Sequence, residues 1–368
     1  MATSKAGSRT DIRAGGRPTG RNGAAPTIVD VAEQAGVSIK TVSRVLNHEP
    51  GVHETTRENV LKVVAELKYR PKLSARSLAG ARSFLIGLLY YDPSAAFVGG
   101  VQQGATLRCR EAGYHLVVES LHNDAPDLEQ QVERMVSALQ PDGMLLTPPL
   151  CDNPKVLKAL RDTNTRCVLM SPDLGRGHRG ARSRAALPSV SMDDVRAAEE
   201  VTHLLISLGH RRIAIIKGAV DQSASHLRYE GFVNAMNQHG LPIDPDMVYQ
   251  GNFTFHTGVE GAHQLLSRRV RPTAVFASND DMALGVLAAA HRLGLAVPQD
   301  LSVAGFDDSQ AASLVWPPLT TVRQPMSEMA RTAVEMLIGA AGDGGEQPLH
   351  LVLPHELVVR HSTAAPRA

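Results

Sequence analysis

Thr27-Ile-Val-Asp-Val-Ala-Glu-Gln-Ala-Gly-Val-Ser-Ile-Lys-Thr-Val-Ser-Arg-Val-Leu-Asn47 is the stretch that decides the fold. Thr27 stands where it can cap a helix, and Ile28, Val31, Ala32 and Ala35 recur at helical spacing behind it. Gly36 supplies a tight turn, Val37 turns inward, and Ser38 caps a second helix. Helix, glycine turn, helix is the pattern of a helix-turn-helix. At about 100° per residue, with Lys40 at zero, Arg44 falls at about 40°, Asn47 at about 340° and Ser43 at about 300°. Val45, Val42 and Leu46 fall at about 140°, 200° and 240° on the same wheel. One face of the second helix is therefore wholly hydrogen-bonding and the opposite face wholly apolar. Lys, Ser, Arg and Asn are the residue types that read base edges and hold phosphates in the major groove. Ile39 and Thr41 flank that face near the helix start, where a thymine methyl can be met. A surface hairpin with a merely wetted polar face has the same periodicity, so the rest of the chain has to decide.

Charge is distributed unevenly around this stretch. Residues 1–82 hold 14 of the 38 Lys/Arg and 7 of the 37 Asp/Glu, a balance of +7, and the remaining 24 and 30 leave the rest at −6. A basic end on an acidic body fits a polyanion-binding module joined to a domain that does not bind polyanions. The chain has 368 residues, too many for one compact core and enough for two or three domains. No early window is apolar enough for a signal peptide, and no run of apolar residues is long enough to span a membrane. Cys109, Cys151 and Cys167 are an odd set without close spacing, which argues against a disulfide framework or a zinc site. The expectation is a reduced, cytoplasmic setting, with no metal and no cofactor.

Four stretches separate by composition. Residues 1–25 are low-complexity, with five basic residues and one acidic, and are expected to be a disordered basic tail. Residues 26–70 form the helix-turn-helix domain, read as three short helices. Residues 71–82 are a connector bracketed by Pro71 and Gly80. From residue 83 onward, apolar strand-like runs alternate with amphipathic helical stretches: Leu85–Tyr90, Leu116–Glu119, Met144–Thr147, Cys167–Met170, Val190–Met192, Ile213–Lys217, Ala274–Ser278 and Leu301–Phe306. Short apolar strands between helices make a parallel sheet covered on both faces. These units exceed one comfortable sheet, so two doubly wound subdomains are expected. Their approximate bounds are 83–189 plus 319–349, and 190–318 plus 350–362, with 363–368 as a tail. Ligands in such a fold sit beyond the carboxyl ends of the strands, in the crevice between halves.

The connector Pro71-Lys-Leu-Ser-Ala-Arg-Ser-Leu-Ala-Gly80 has room for about two helical turns, too few to be stable alone. A segment that becomes helical only on docking is a switch, and Leu73 and Leu78 give it an apolar side able to wedge into a minor groove. Ala32-x-x-x-Gly36-Val-Ser-x-x-Thr-Val-Ser-Arg-Val-Leu-Asn47, followed by Thr56-Arg57, Glu66-Leu-x-Tyr69-x-Pro71 and Ala75-Arg-Ser-Leu78, resembles the LacI/GalR family of bacterial regulators. The likeness continues through His203-Leu-Leu-x-x-Leu-Gly-His210, Asn279-Asp-Asp-Met-Ala-Leu-Gly285, Ala304-Gly-Phe-Asp307-Asp and Pro317-Pro-Leu-Thr-Thr-Val-Arg-Gln324. It spans roughly residues 27–362.

The resemblance implies a small all-α helix-turn-helix domain followed by a two-lobed α/β effector domain like a periplasmic binding protein, with three crossover strands. It implies that Ile39, Lys40 and Arg44 select bases, with Thr41 at the edge of that face. Thr27, Ser38, Ser43, Asn47 and Tyr69 would hold phosphates, while Ala75 and Leu78 would sit in the minor groove, Leu78 as the wedge. The effector contacts it implies are Arg228, forking onto vicinal hydroxyls or a carboxylate; Asp307 and Asn279, anchoring hydroxyls; and Phe97 and Phe253, stacking on a sugar ring. Asp193 is taken as a further contact, with its neighbour Asp194 an equally fair match. The implied partners are near-palindromic double-stranded operator DNA, a second copy of the chain and a small effector, with a sugar preferred. The implied function is repression of carbohydrate-utilisation genes relieved by that sugar, with a corepressor-dependent regulator as the alternative. Departures from the family pattern are the loop Asp92-Pro-Ser-Ala-Ala-Phe97 and the long basic stretch Gly175–Arg184.

Two other classes fare worse. The chain has no Walker loop, no His-Glu-x-x-His, no Gly-x-Ser-x-Gly and no paired-cysteine site, so an enzyme has no chemistry to start from. Gly99-Gly100-x-x-x-Gly104 follows a strand, but its spacing is not the dinucleotide fingerprint. An exported solute-binding protein would need a leader where this chain has a helix-turn-helix.

Overall fold

The computed structural model describes residues 26–46, 50–69, 82–91, 94–174, 186–339 and 349–367. They form two compact units, divided at Gly80/Ala81.

The first unit contains α1 (Ile28–Ala35), α2 (Ile39–Leu46) and α3 (Glu54–Glu66). Thr27 starts α1 through a capping box: its hydroxyl accepts from the Asp30 N–H, and the Asp30 carboxylate accepts from the Thr27 N–H at 2.7 Å. Gly36 ends α1 at φ +67°, a left-handed cap that favours glycine. Ser38 caps α2, its Oγ accepting from the Thr41 N–H at 3.1 Å. Val31, Val42, Val45 and Val60 are fully buried in the small core, and Asn59 on α3 donates to the Ala35 carbonyl at 3.0 Å. Burying each such valine contributes about 1.5–3 kcal/mol. The apolar face of α2 is thus consumed by the core, and its polar face is left outward.

The second unit is built on two parallel sheets. The first has six strands in the order β11 (His350–Leu353), β5 (Ser189–Met192), β4 (Cys167–Met170), β3 (Gly143–Leu146), β1 (Leu85–Tyr90) and β2 (His115–Ser120). Its central strands β3 and β4 are buried along their whole length, because helices cover both faces. On one face lie α4 (Ala95–Glu111) and α12 (Met326–Gly339); on the other lie α5 (Leu128–Leu139) and α6 (Pro154–Asp162). Gly104 lets α4 and α12 touch, since a Cβ there would stand 2.0 Å from the Ser327 carbonyl oxygen. The Gly99-Gly100 pair lies inside α4 and makes no phosphate loop.

The second sheet has the order β7 (Val248–Gln250), β6 (Ile213–Lys217), β8 (Ala274–Ala277) and β9 (Ser302–Ala304). It is covered by α7 (Asp194–Ser207) and α8 (Ser223–Gln238) on one face, and by α9 (Phe255–Leu266) and α10 (Asp280–Arg292) on the other. A short α11 (Gln310–Leu314) follows β9. β10 (Thr321–Arg323) and β12 (Glu356–Val358) form a small antiparallel ribbon, and bridges at Ala304–Thr320 and Asp307–Arg323 join β10 to the edge beside β9.

The chain crosses between lobes three times: after Met192, between Arg323 and Met326, and between Leu353 and Glu356. This shifts the expected subdomain bounds. β5 and β11 complete the first sheet, whereas 190 and 350 were assigned to the second lobe. Residues 319–323 pack with the second lobe, whereas 319 was expected to open the return. The reason is geometric: β5 and β11 run to the end of the first sheet before the chain leaves it, so the lobe boundary falls at the strand's last residue.

His210, in the turn before β6, is a structural residue. Its ring nitrogens meet the Thr273 hydroxyl at 2.9 Å, the Ser302 hydroxyl at 3.0 Å and the Ala364 carbonyl at 2.9 Å, and burial pushes its pKa down. Among the described residues the three cysteines are buried and form no disulfide, and no helix is long and apolar enough to cross a membrane.

Candidate effector cleft and DNA-reading helix

The cleft of the second unit opens beyond the carboxyl ends of both sheets. Ser171 follows β4, Ser278 follows β8, and Asp307 lies just past β9, the positions where a doubly wound fold places ligand contacts. Arg228, on α8, is its centre. Only 4% exposed, its guanidinium donates through Nε to Asp194 Oδ1 at 2.9 Å and through an end nitrogen to the Ser278 carbonyl at 2.5 Å. The same end lies 3.8 Å from Asp307 Oδ1. The guanidinium carbon lies 3.7 Å from the centroid of the Phe306 ring and 5.9 Å from that of Phe253. A buried cation needs this matching, because an uncompensated one costs several kcal/mol.

Asn279 caps α10, its Oδ1 accepting from the Met282 N–H and its amide donating to the Phe253 carbonyl, both at 2.9 Å. That bond fixes the turn in which Phe253 adopts φ +66°, and Phe253 packs its ring into the space left by Gly218. Asp307 adopts φ +123° and accepts a hydrogen bond from Gln324, which lies on the crossover between β10 and α12. The cleft is thereby tied to one of the interlobe segments. Two further bonds join the lobes at the rim: Asn123 to Asp221 at 3.2 Å, and the Ser223 hydroxyl to the Ser171 carbonyl at 3.1 Å. The open volume is about 30 Å³, on a scale where one water takes roughly 10–15 Å³, so the lobes are closed on each other.

Of the expected effector contacts, Phe97, Arg228, Phe253, Asn279 and Asp307 all line this cleft. Asp193 does not. It is exposed and spends its carboxylate capping α7, accepting from the Arg196 N–H at 3.0 Å; the next residue, Asp194, turns inward and meets Arg228. The residue that lines the cleft at this corner is therefore Asp194. Sequence reasoning also missed Ser94, Ser171, Gln222 and Gln324, which line the cleft. Ser171 was discoverable, because it stands directly after a strand's carboxyl end.

In the first unit, Lys40 and Arg44 are exposed on α2, and Ile39 is 47% exposed at its start. Thr41 and Ser43 are half-buried beside them. The hydroxyls of Thr27 and Ser38 serve the two helix caps. Tyr69 is 7% exposed: its ring belongs to the core, and burial raises its pKa. Packing against the valines of α2 and α3 consumes the ring. Asn47, Ala75, Leu78, the rest of the connector 71–81, and the basic stretch 175–184 lie outside the described residues.

A helix-turn-helix with an outward polar recognition face, joined in one chain to a two-lobed α/β clamp, defines a ligand-binding class of transcriptional regulator. A profile described as "Bacterial regulatory proteins, lacI family" matches residues 27–72, and one described as "Periplasmic binding protein-like domain" matches residues 202–363. The chain is 36% identical over 345 residues to the HTH-type transcriptional regulator DegA of Bacillus subtilis (strain 168), covering 92% of this chain and 98% of that one. It is 33% identical to the ribose operon repressor of Haemophilus influenzae, covering 91% of this chain and 98% of that protein. Its structure is similar to that of the lac repressor dimer bound to operator and the anti-inducer ONPF, with a TM-score of 0.78, 28% identity and coverage of 93% and 100%. The chain belongs to the LacI family of bacterial transcriptional regulators.

Proposed function

We propose that this regulator is a homodimeric repressor of carbohydrate-utilisation genes, released from a near-palindromic operator when a neutral sugar enters the cleft. The observation that carries the choice of ligand is the state of Arg228. Among the charged residues lining the cleft, one cation faces two carboxylates, Asp194 and Asp307, and is already engaged with the first. A phosphorylated or carboxylate ligand would enter a site with a charge surplus of −1, whereas hydroxyls can exchange with the existing hydrogen bonds. Phe97 and Phe253 offer apolar faces for the C–H side of a pyranose. The ribose operon repressor, and the regulator CelR in its complex with cellobiose, 30% identical to this chain, are relatives named for sugars.

A cleft of this volume admits no sugar as it stands, so entry requires the lobes to part and the rim bonds of Asn123 and Ser223 to break. The resulting change in lobe angle is the signal passed to the connector and the reading heads. Lys40, Arg44 and Ile39 of α2 select bases, while Ser43, the N-terminal ends of the helices and Asn47, which lies outside the described residues, meet phosphates. Dimerisation is supported by the exposed apolar side chains Phe255, Leu314 and Trp316 of the second unit, the last 85% exposed.

The test is thermal unfolding of the purified protein against neutral sugars, sugar phosphates and purines. A ligand at 100 times its Kd adds about 2.7 kcal/mol. The expected result is a shift from a neutral sugar that Arg228→Ala abolishes. A shift given only by a phosphorylated compound or a purine would contradict the choice of ligand.

A further inference from the structure

At the opposite end of the second sheet from the effector cleft lies a cavity of about 460 Å³, within the range of small-molecule sites. Ile213, the first residue of β6, forms part of its wall, so the cavity sits at the amino ends of the strands. Arg211, Arg212, Arg268 and Arg269 converge on it. This runs against the charge of its surroundings, because residues 83–368 carry a net −6.

The arginines are poorly matched by carboxylates. Arg268 pairs with Asp246 at 2.5 Å, but its Nε is buried without a hydrogen-bond partner. Asp244 also lines the cavity, and its carboxylate caps the turn Pro245–Met247 by accepting from the Asp246 N–H at 2.9 Å. Arg211 donates to the carbonyls of Ile206 and His210, and Arg212 to that of Arg271, so both charges remain unneutralised. Among the described residues no carboxylate lies within 4.0 Å of Arg211, Arg212 or Arg269. The floor is apolar, with Ile213 and Met247 buried beneath the arginines.

Converging guanidiniums over an apolar floor suit phosphoryl oxygens joined to a flat or apolar body. We propose that this cavity is a second ligand site, separate from the effector cleft, that binds a small phosphorylated compound of nucleotide size. Its phosphoryl groups lie on Arg212, Arg268 and Arg269, and its apolar part lies against Pro242 and Val270, the exposed apolar residues of the lining. A regulator with this site reads two inputs, one between its lobes and one on the second lobe.

The experiment is isothermal titration of the full chain with pyrophosphate and with ATP at constant ionic strength. It compares the unaltered protein, an Arg212→Gln/Arg269→Gln double variant and Arg228→Ala. The double variant changes two exposed side chains outside the core, and circular dichroism checks that the fold persists in it and in Arg228→Ala, binding being compared only where it does. The expected result is saturable binding, at least tenfold weaker in the double variant and unchanged by Arg228→Ala. Absence of saturable binding of both probes overturns the proposal, as does binding that survives the double substitution. Binding lost in Arg228→Ala but kept in the double variant places the ligand in the effector cleft and overturns it too.

Discussion

Replacing Arg228 with Met isolates what the central cation does. The substitution keeps an apolar stem of similar length and removes the charge between Asp194 and Asp307, whose side chains are 3% and 5% exposed. Two carboxylates are then left in a site from which water is largely excluded. Breaking a buried pair by removing one partner costs about 3–5 kcal/mol, mostly the penalty of the stranded charge. The lost contact with the Phe306 ring, at 3.7 Å, adds to this, on the order of 1–2 kcal/mol. The expected result is a fall in urea stability of roughly 4–7 kcal/mol, followed by circular dichroism of the full chain. The triple variant Arg228→Met/Asp194→Asn/Asp307→Asn removes the stranded charges as well, and should recover most of that loss while binding no effector. A single variant losing less than about 1 kcal/mol, or a triple variant as unstable as the single, would refute the argument that charge matching organises this cleft.

Three other consequences follow from the same geometry. Asp280 accepts from the Thr321 hydroxyl at 2.6 Å and the Ser309 N–H at 2.7 Å, and burial pushes its carboxyl up to about 6. An acid whose folded pKa exceeds its unfolded value opposes folding once ionised. Acidification from pH 7 to 4 should therefore recover at most about 3 kcal/mol from this group, and Asp280→Asn should flatten that part of the urea-midpoint profile; identical slopes would count against it. Gly218→Ala sets a Cβ 1.9 Å from the Phe253 ring, so the ring must leave its place. The expected cost is about 1–3 kcal/mol in unfolding, together with a clear drop in effector affinity, and unchanged affinity would remove Phe253 from the site. Arg44→Ala should cost about 1–3 kcal/mol on specific DNA and little on random duplex in a fluorescence-anisotropy titration, whereas equal losses would make Arg44 a phosphate contact.

Where periodicity and burial coincide, the sequence was readable. The apolar stripe of α2 and the runs that became β1, β4 and β6 are long enough, and covered enough, that hydrophobic pattern alone marks them. β7, β10 and β12 escaped because each has three residues, and polar ones such as Gln250, Arg323 and Glu356 interrupt them. β11 escaped as well, since its His350–Leu353 run has exposed positions at the sheet edge. Asp193 and Asp194 show a finer limit. They are adjacent at a helix start, and the choice between capping the backbone and facing the cleft depends on where α8 brings Arg228, which no local pattern contains. The place of the Tyr69 ring meets a related limit. An aromatic near a DNA-contacting connector has the same local sequence whether its ring lies outward or completes a three-helix core. Gln324 gave no signal of its own, because its role arises from a contact with Asp307, 17 positions earlier in the chain.

Linkage between the cleft and the operator is the central claim, and one equilibrium titration addresses it. Once a sugar ligand and a selected operator duplex are in hand, the sugar's affinity for the full-length protein is measured with and without saturating duplex. Effector and operator favour different lobe arrangements in this account, so each must weaken the other by the same factor, expected within about 5–150-fold. A weaker sugar affinity on the operator, matched by an equal loss of operator affinity in saturating sugar, is the predicted result. Identical sugar affinities with and without operator would mean that the cleft does not control DNA binding, and the account would fail at its centre.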